Sequence, residues 1–133
     1  MSIMWWRRVD RRIGDRVPYL LLILEPHGQR HERTEAEGQA LYERMLRFSD
    51  ELKKRGVLRA SQSLKTDTEG VRVRVRDGKR SFFDGPFSES KEMIGGYFIL
   101  DVESRDEAVA IASEVPAAEW ATVEVREFGP CFM

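Results

Sequence analysis

The sequence has 133 residues, the length of one domain, since domains run to about 100–200 residues. Twenty-two Lys and Arg against 23 Asp and Glu leave a net charge of −1, which argues against a general nucleic-acid binder, and 41% hydrophobic with 34% charged residues mark a globular rather than a disordered chain. The single cysteine, Cys131, excludes an internal disulfide and any multi-cysteine zinc site.

Residues 1–16 read as a basic N-terminal extension, with Arg7, Arg8, Arg11, Arg12 and Arg16 against Asp10 and Asp15. Trp5 and Trp6 are expected to pack on the domain or on a partner subunit, because burying a large apolar side chain is worth about 1.5–3 kcal/mol. The charges follow the short apolar start, whereas a secretory signal places them before a longer one. The longest apolar run, Tyr19 to Leu24, is far short of the roughly 20 residues that span a bilayer. The expected location is the cytoplasm, with neither membrane nor nucleic acid as a partner.

Tyr19 to Leu24, bounded by Pro18 and Glu25-Pro26, is too short for a normal helix and reads as a strand. Apolar residues at every position of a strand mean that both faces are buried. A loop follows, and Thr34 with Glu37 forms a capping box. Leu41, Met45, Phe48 and Leu52 make one apolar stripe, Lys53, Lys54 and Arg55 suit the negative end of a helix dipole, and Gly56 suits the left-handed cap, so the helix covers 35–55. A strand lies within 57–65, and a turn at 66–70. Val71 to Arg76 alternates valine with arginine, and Asp77-Gly78 marks a tight hairpin returning along Lys79 to Phe83. Residues 88–94 are expected to form one or two helical turns, broken by Gly95-Gly96. Tyr97 to Leu100 with Val102 is a second strand apolar on both faces. Ser104 with Glu107 repeats the capping box, a second amphipathic helix runs to Pro116, and Thr122 to Arg126 alternates as the last strand.

The order β-α-β, hairpin, β-α-β predicts a ferredoxin-like α+β fold, an antiparallel sheet with two helices on one face. The domain is expected over 17–128, with a tail at 129–133. Two single-stripe helices cover only one sheet face, while the two central strands offer apolar side chains to both. A homodimer through the helix-free face is therefore expected.

The densest polar cluster is Asp84-Gly85-Pro86-Phe87-Ser88-Glu89-Ser90-Lys91-Glu92. Its structural reading is an Asx-turn at Asp84, a turn at Gly85-Pro86 and a Ser88 helix cap. Its functional reading makes Asp84 and Glu89 acid–base carboxylates and Lys91 an anion holder, with Glu92, Phe87 and Tyr97 as ligand contacts. This cluster resembles the signature of the YCII-related (DGPF domain) family. The opening strand, Asp77-Gly78, Gly95-Gly96-Tyr97, Asp106-Glu107-Ala108 and Val123 to Arg126 follow the family's order over about residues 17–128. The N-terminal extension departs from it.

The resemblance implies a dimeric α/β-barrel of the ferredoxin-like kind. It also implies a largely uncharacterised family in which some members lie beside genes for extracytoplasmic-function sigma factors. Distant relatives are small-molecule enzymes, including a dehydrochlorinase, and one branch is thought to use a His–Asp pair. The quoted motifs do not assign that pair, because His27 and His31 lie in the loop before the first helix. Four apart, these histidines have metal-ligand spacing, but Pro26 and Gly28 argue against a helix there and no third ligand is evident. No metal or cofactor is expected, and His27 stays a candidate general base. The arginines of the hairpin and the acids of residues 101–128 read as solvated faces. The expected function is binding of a small anionic or aromatic molecule, with acid–base chemistry on it. The alternative is a non-catalytic regulatory or interaction protein tied to sigma-factor control.

Overall fold

A computed structural model describes residues 16–87 and 89–132. Trp5, Trp6 and the Ser88 cap lie outside them. Six strands and two long helices follow the expected order: β1 (Val17–Pro26), α1 (Glu35–Lys54), β2 (Leu58–Ser63), β3 (Val71–Arg76), β4 (Lys79–Asp84), β5 (Glu92–Val102), α2 (Arg105–Glu114) and β6 (Thr122–Glu127). Short 3-10 turns stand at Gln29–Glu32, Asp67–Glu69 and Pro116–Glu119.

Four strands form one antiparallel sheet in the order β2-β5-β1-β6, and β3-β4 pair separately. Each helix follows one strand of the sheet and leads to another, which makes two interlocked β-α-β units, the ferredoxin-like α+β arrangement. Tyr19, Leu21 and Ile23 of β1 and Phe98, Leu100 and Val102 of β5 share one core with Phe48 and Leu52 of α1 and Ala108, Ile111 and Ala112 of α2. Both helices therefore cover the same face. On the other face Leu20, Leu22, Leu24, Tyr97 and Ile99 are only partly buried.

The helix ends follow their local chemistry. Thr34 Oγ1 accepts from Glu37 N–H at 3.1 Å, and the Glu37 carboxylate accepts from Thr34 N–H at 2.8 Å. These backbone and hydroxyl hydrogen bonds from Thr34 hold the Glu37 carboxyl below its ordinary value. Gly56 takes the left-handed conformation with φ 74°. At α2 the box is only half closed. Ser104 Oγ accepts from Glu107 N–H, but the Glu107 carboxylate accepts from Glu103 N–H, one residue earlier than expected.

Of the helical turns expected at 88–94, none forms among the described residues 89–94. β5 begins at Glu92 and runs straight through Gly95-Gly96. The reason is a bulge: Ile23 faces Gly96 and Leu24 faces Ile94, so Gly95 is the extra residue. A Cβ on Gly95 would stand 2.6 Å from Glu25 Oε1, and one on Gly96 2.9 Å from Gln62 O. The pair is a place of close approach within a strand, not a breaker. The hairpin turn forms as expected, with positive φ at Asp77 (52°) and Gly78 (75°).

Candidate functional site

β1 ends at Pro26, and His27 N–H donates to Lys91 O at 3.0 Å, holding the departing loop beside the start of β5. His27 Nε2 lies 2.9 Å from Asp67 Oδ2, with the two side chains only 21% and 16% exposed. The contact lacks hydrogen-bond alignment.

Asp67 opens the 3-10 turn before β3, and the signature segment wraps around it. Phe87 N–H donates to Asp67 Oδ2 at 3.2 Å. Gly85 N–H donates to Gly70 O at 2.9 Å. A Cβ on Gly85 would stand 1.8 Å from Asp67 O, so only glycine lets the two backbones meet. The Gly85-Pro86 peptide is cis. Phe87 lies under the Arg72 guanidinium, 3.8 Å from its ring centre. The signature segment thus acts by position, gripping the carboxylate that faces His27.

The other expected site residues scatter. Asp84 is exposed at the end of β4, opposite Val71, and Glu89 is exposed on the following loop. Lys91 and Glu92 are exposed too, Lys91 serving His27 through its carbonyl and Glu92 pairing with Pro26. Tyr97 borders a cleft, although its register opposite Leu22 and Gln62 is that of the helix-free face. His31 is exposed in a 3-10 turn. Among the described residues no group of three or more His, Cys, Asp or Glu is arranged to hold a metal ion, and no helix is long and apolar enough to cross a membrane.

The cleft has a volume of about 430 Å³ and separates the N-terminal half of α1 from the sheet. It exists because α1 closes on the sheet through Phe48 and Leu52, both buried, while Leu41 and Met45 are only partly covered. Glu25 lines its inner end at 5% exposure. A buried carboxylate needs a partner. Arg30 supplies the opposite charge, 2.6 Å from Glu25 Oε1 though outside hydrogen-bond geometry, and donates to Leu64 O and Gly95 O. Trp120 forms another wall, with Arg33 and Arg44 about 5.8 and 5.5 Å from its ring centre. Arg44 pairs with Glu119 at 2.6 Å, and that hydrogen bond raises the guanidinium and lowers the Glu119 carboxyl from their ordinary values.

Asp67, Glu25, Arg30 and Trp120 escape the reading of the sequence. Glu25 had a usable signal. It sits at the inward parity of Tyr19, Leu21 and Ile23, where a charge is out of place. Asp67 had none, standing in an ordinary polar turn.

Fold and site define a ferredoxin-like α+β protein whose signature loop encloses a His–Asp pair. The chain belongs to the YCII-related domain family, whose model matches residues 20–130. It is also similar to an uncharacterised protein of Rhizobium meliloti (strain 1021), at 36% identity over 61 residues, which cover 44% of this chain and 49% of that relative. The match thus spans about half the length of the relative.

Proposed function

We propose that the protein performs acid–base chemistry on a small molecule with its own side chains, His27 acting as general base and Asp67 as its orienting carboxylate. The observation that carries this is the contact between His27 and Asp67, two mostly buried side chains 40 positions apart, with Asp67 gripped by the signature segment. With the ring proton on Nε2, toward Asp67, Nδ1 is left as the base. A carboxylate so placed orients the imidazole and stabilises the imidazolium formed when it takes a proton. His27 thus keeps the role expected from the sequence, and the carboxylate role moves from Asp84 and Glu89 to Asp67.

We also propose a homodimer joined through the helix-free sheet face. Leu20, Leu22, Leu24, Tyr97 and Ile99 form its apolar centre, and Ile94 at 46% exposure extends it. A second reading, a non-catalytic regulatory protein, draws on the β3-β4 hairpin, whose valines and Phe82 are all more than half exposed. Solvent-deuterium incorporation into a panel of small C–H acids, without added metal or cofactor, separates the two. Positioned acid–base groups contribute about 10²–10⁴-fold, so His27→Gln and Asp67→Asn should each lower the exchange by that order. Exchange that ignores both substitutions, or none by the unmodified protein, defeats the catalytic reading.

A further inference from the structure

We infer that the cleft between α1 and the sheet binds a small aromatic or apolar monocarboxylate, its carboxylate on Arg33 and its hydrocarbon body between Met45 and Trp120. The inference goes beyond the acid–base reading: neither His27 nor Asp67 lines this cleft, and binding there does not rest on that reading.

Three observations support it. The first is Gly38, in the first turns of α1. Glycine inside a helix is about 0.5–1 kcal/mol less stable than alanine. Here its φ is not in the left-handed region, and an added Cβ would meet nothing within 4 Å, so neither backbone nor packing requires it. Gly38 lines the cleft, and any larger residue would narrow the opening.

The second is the character of the walls. A volume of about 430 Å³ falls within the roughly 300–1,000 Å³ of small-molecule sites, which are mostly apolar with a few placed polar groups. Ile23, Phe98, Met45 and Trp120 supply the apolar part, and Ser49 Oγ with Ser61 Oγ, 2.5 Å apart, a polar point.

The third is charge. Arg30 is used by Glu25 and two carbonyls, and Arg44 by Glu119. Arg33, partly buried at the same cleft, contacts only the neutral Gln29 Oε1 at 3.0 Å and the face of Trp120. Among the described residues it has no carboxylate within 4.0 Å, and its charge reaches Glu37 only as a weak field. A planar guanidinium fork matches one carboxylate. Glu35 also lines the cleft, exposed and accepting from Gln39 at 3.4 Å. Its charge opposes a second negative group, which favours a monoanion over a phosphate.

The test uses hydrocinnamate and its neutral amide, hydrocinnamide, titrated calorimetrically into the full chain. A charge-assisted pair is worth enough to make the acid bind about tenfold tighter than the amide. Arg33→Gln should erase that difference while leaving amide binding unchanged. Glu35→Gln should tighten the acid about twofold, as removal of a screened like charge does. Gly38→Leu should weaken both compounds about tenfold or more, by filling the space an apolar body needs, with helix content retained in circular dichroism because leucine is the better helix former. Equal affinities for acid and amide, or a Gly38→Leu protein that binds normally, overturns the inference, as does no binding at millimolar concentration. His27→Gln separates it from the catalytic reading: it should bind hydrocinnamate as the unmodified protein does. Normal binding together with His27-independent exchange removes only the catalytic reading. His27-dependent exchange without acid binding removes only this one.

Discussion

The central strands and the β3-β4 hairpin are both rich in apolar side chains, and they meet opposite fates. Leu21 and Leu100 are 0% exposed, whereas Val71, Val73, Val75 and Phe82 are 54–61% exposed. The hairpin carries the cleaner alternation and the stronger turn signal. Its valines share a face as alternation requires, yet among the described residues no helix covers that face. Alternation reports which side chains share a surface. It does not report whether anything covers the surface, because covering depends on helices from elsewhere in the chain. The hairpin instead contributes at its root, where Asp84 passes to Gly85 and the Asp67 turn.

Substitutions can break or sharpen this contrast, and the largest effect belongs to the core. Leu100→Ala should lower stability by about 2–5 kcal/mol in urea unfolding, the range for emptying a packed site. Gly95→Ala should lower it by about 1–3 kcal/mol, since the methyl group overpacks against Glu25 and must displace its pairing with Arg30. Thr34→Ala removes one half of the capping box and should cost about 1 kcal/mol, read in the same titration. Val73→Ser on the hairpin should change monomer stability by no more than about 0.5 kcal/mol. A loss that is larger and grows with protein concentration would show the hairpin covered by a second copy, and the contrast would dissolve.

The smallest effect is in pH. Hydrogen bonds from Thr34 and Arg44 lower the carboxyls of Glu37 and Glu119 in the folded chain. A lowered folded value means that each contributes stability above its unfolded value, near 4.5, and loses it as pH falls through the folded value. Melting temperatures of Glu37→Gln and Glu119→Gln should therefore approach that of the unmodified protein as pH drops below about 4. Separation that persists there would mean that these side chains act by packing rather than by charge.

Much of the architecture was legible from local signals. The Thr34 and Glu37 pairing, the glycine after α1 and the Asp77-Gly78 turn each involve residues within four positions. The site was less so. His27 could be singled out as a titratable residue, but its partner lies on a turn that becomes adjacent only when β5 pairs with β1. The signature segment invited a catalytic role for its charged members. What the structure shows of that segment is backbone contact: Gly85 lets two backbones approach, and Phe87 N–H donates to Asp67.

What the sequence alone determined is the two long helices with their caps, the order of the strands, the hairpin turn and the two-sided apolar character of β1 and β5, because periodicity and capping act over one or two turns of chain. Only the tertiary structure decided that Gly95-Gly96 bulges instead of breaking a strand, that Glu25 is buried against Arg30, and that α1 stands off the sheet far enough to leave a cleft. Those outcomes depend on which surfaces meet across tens of residues, and closeness in space is created by the packing itself.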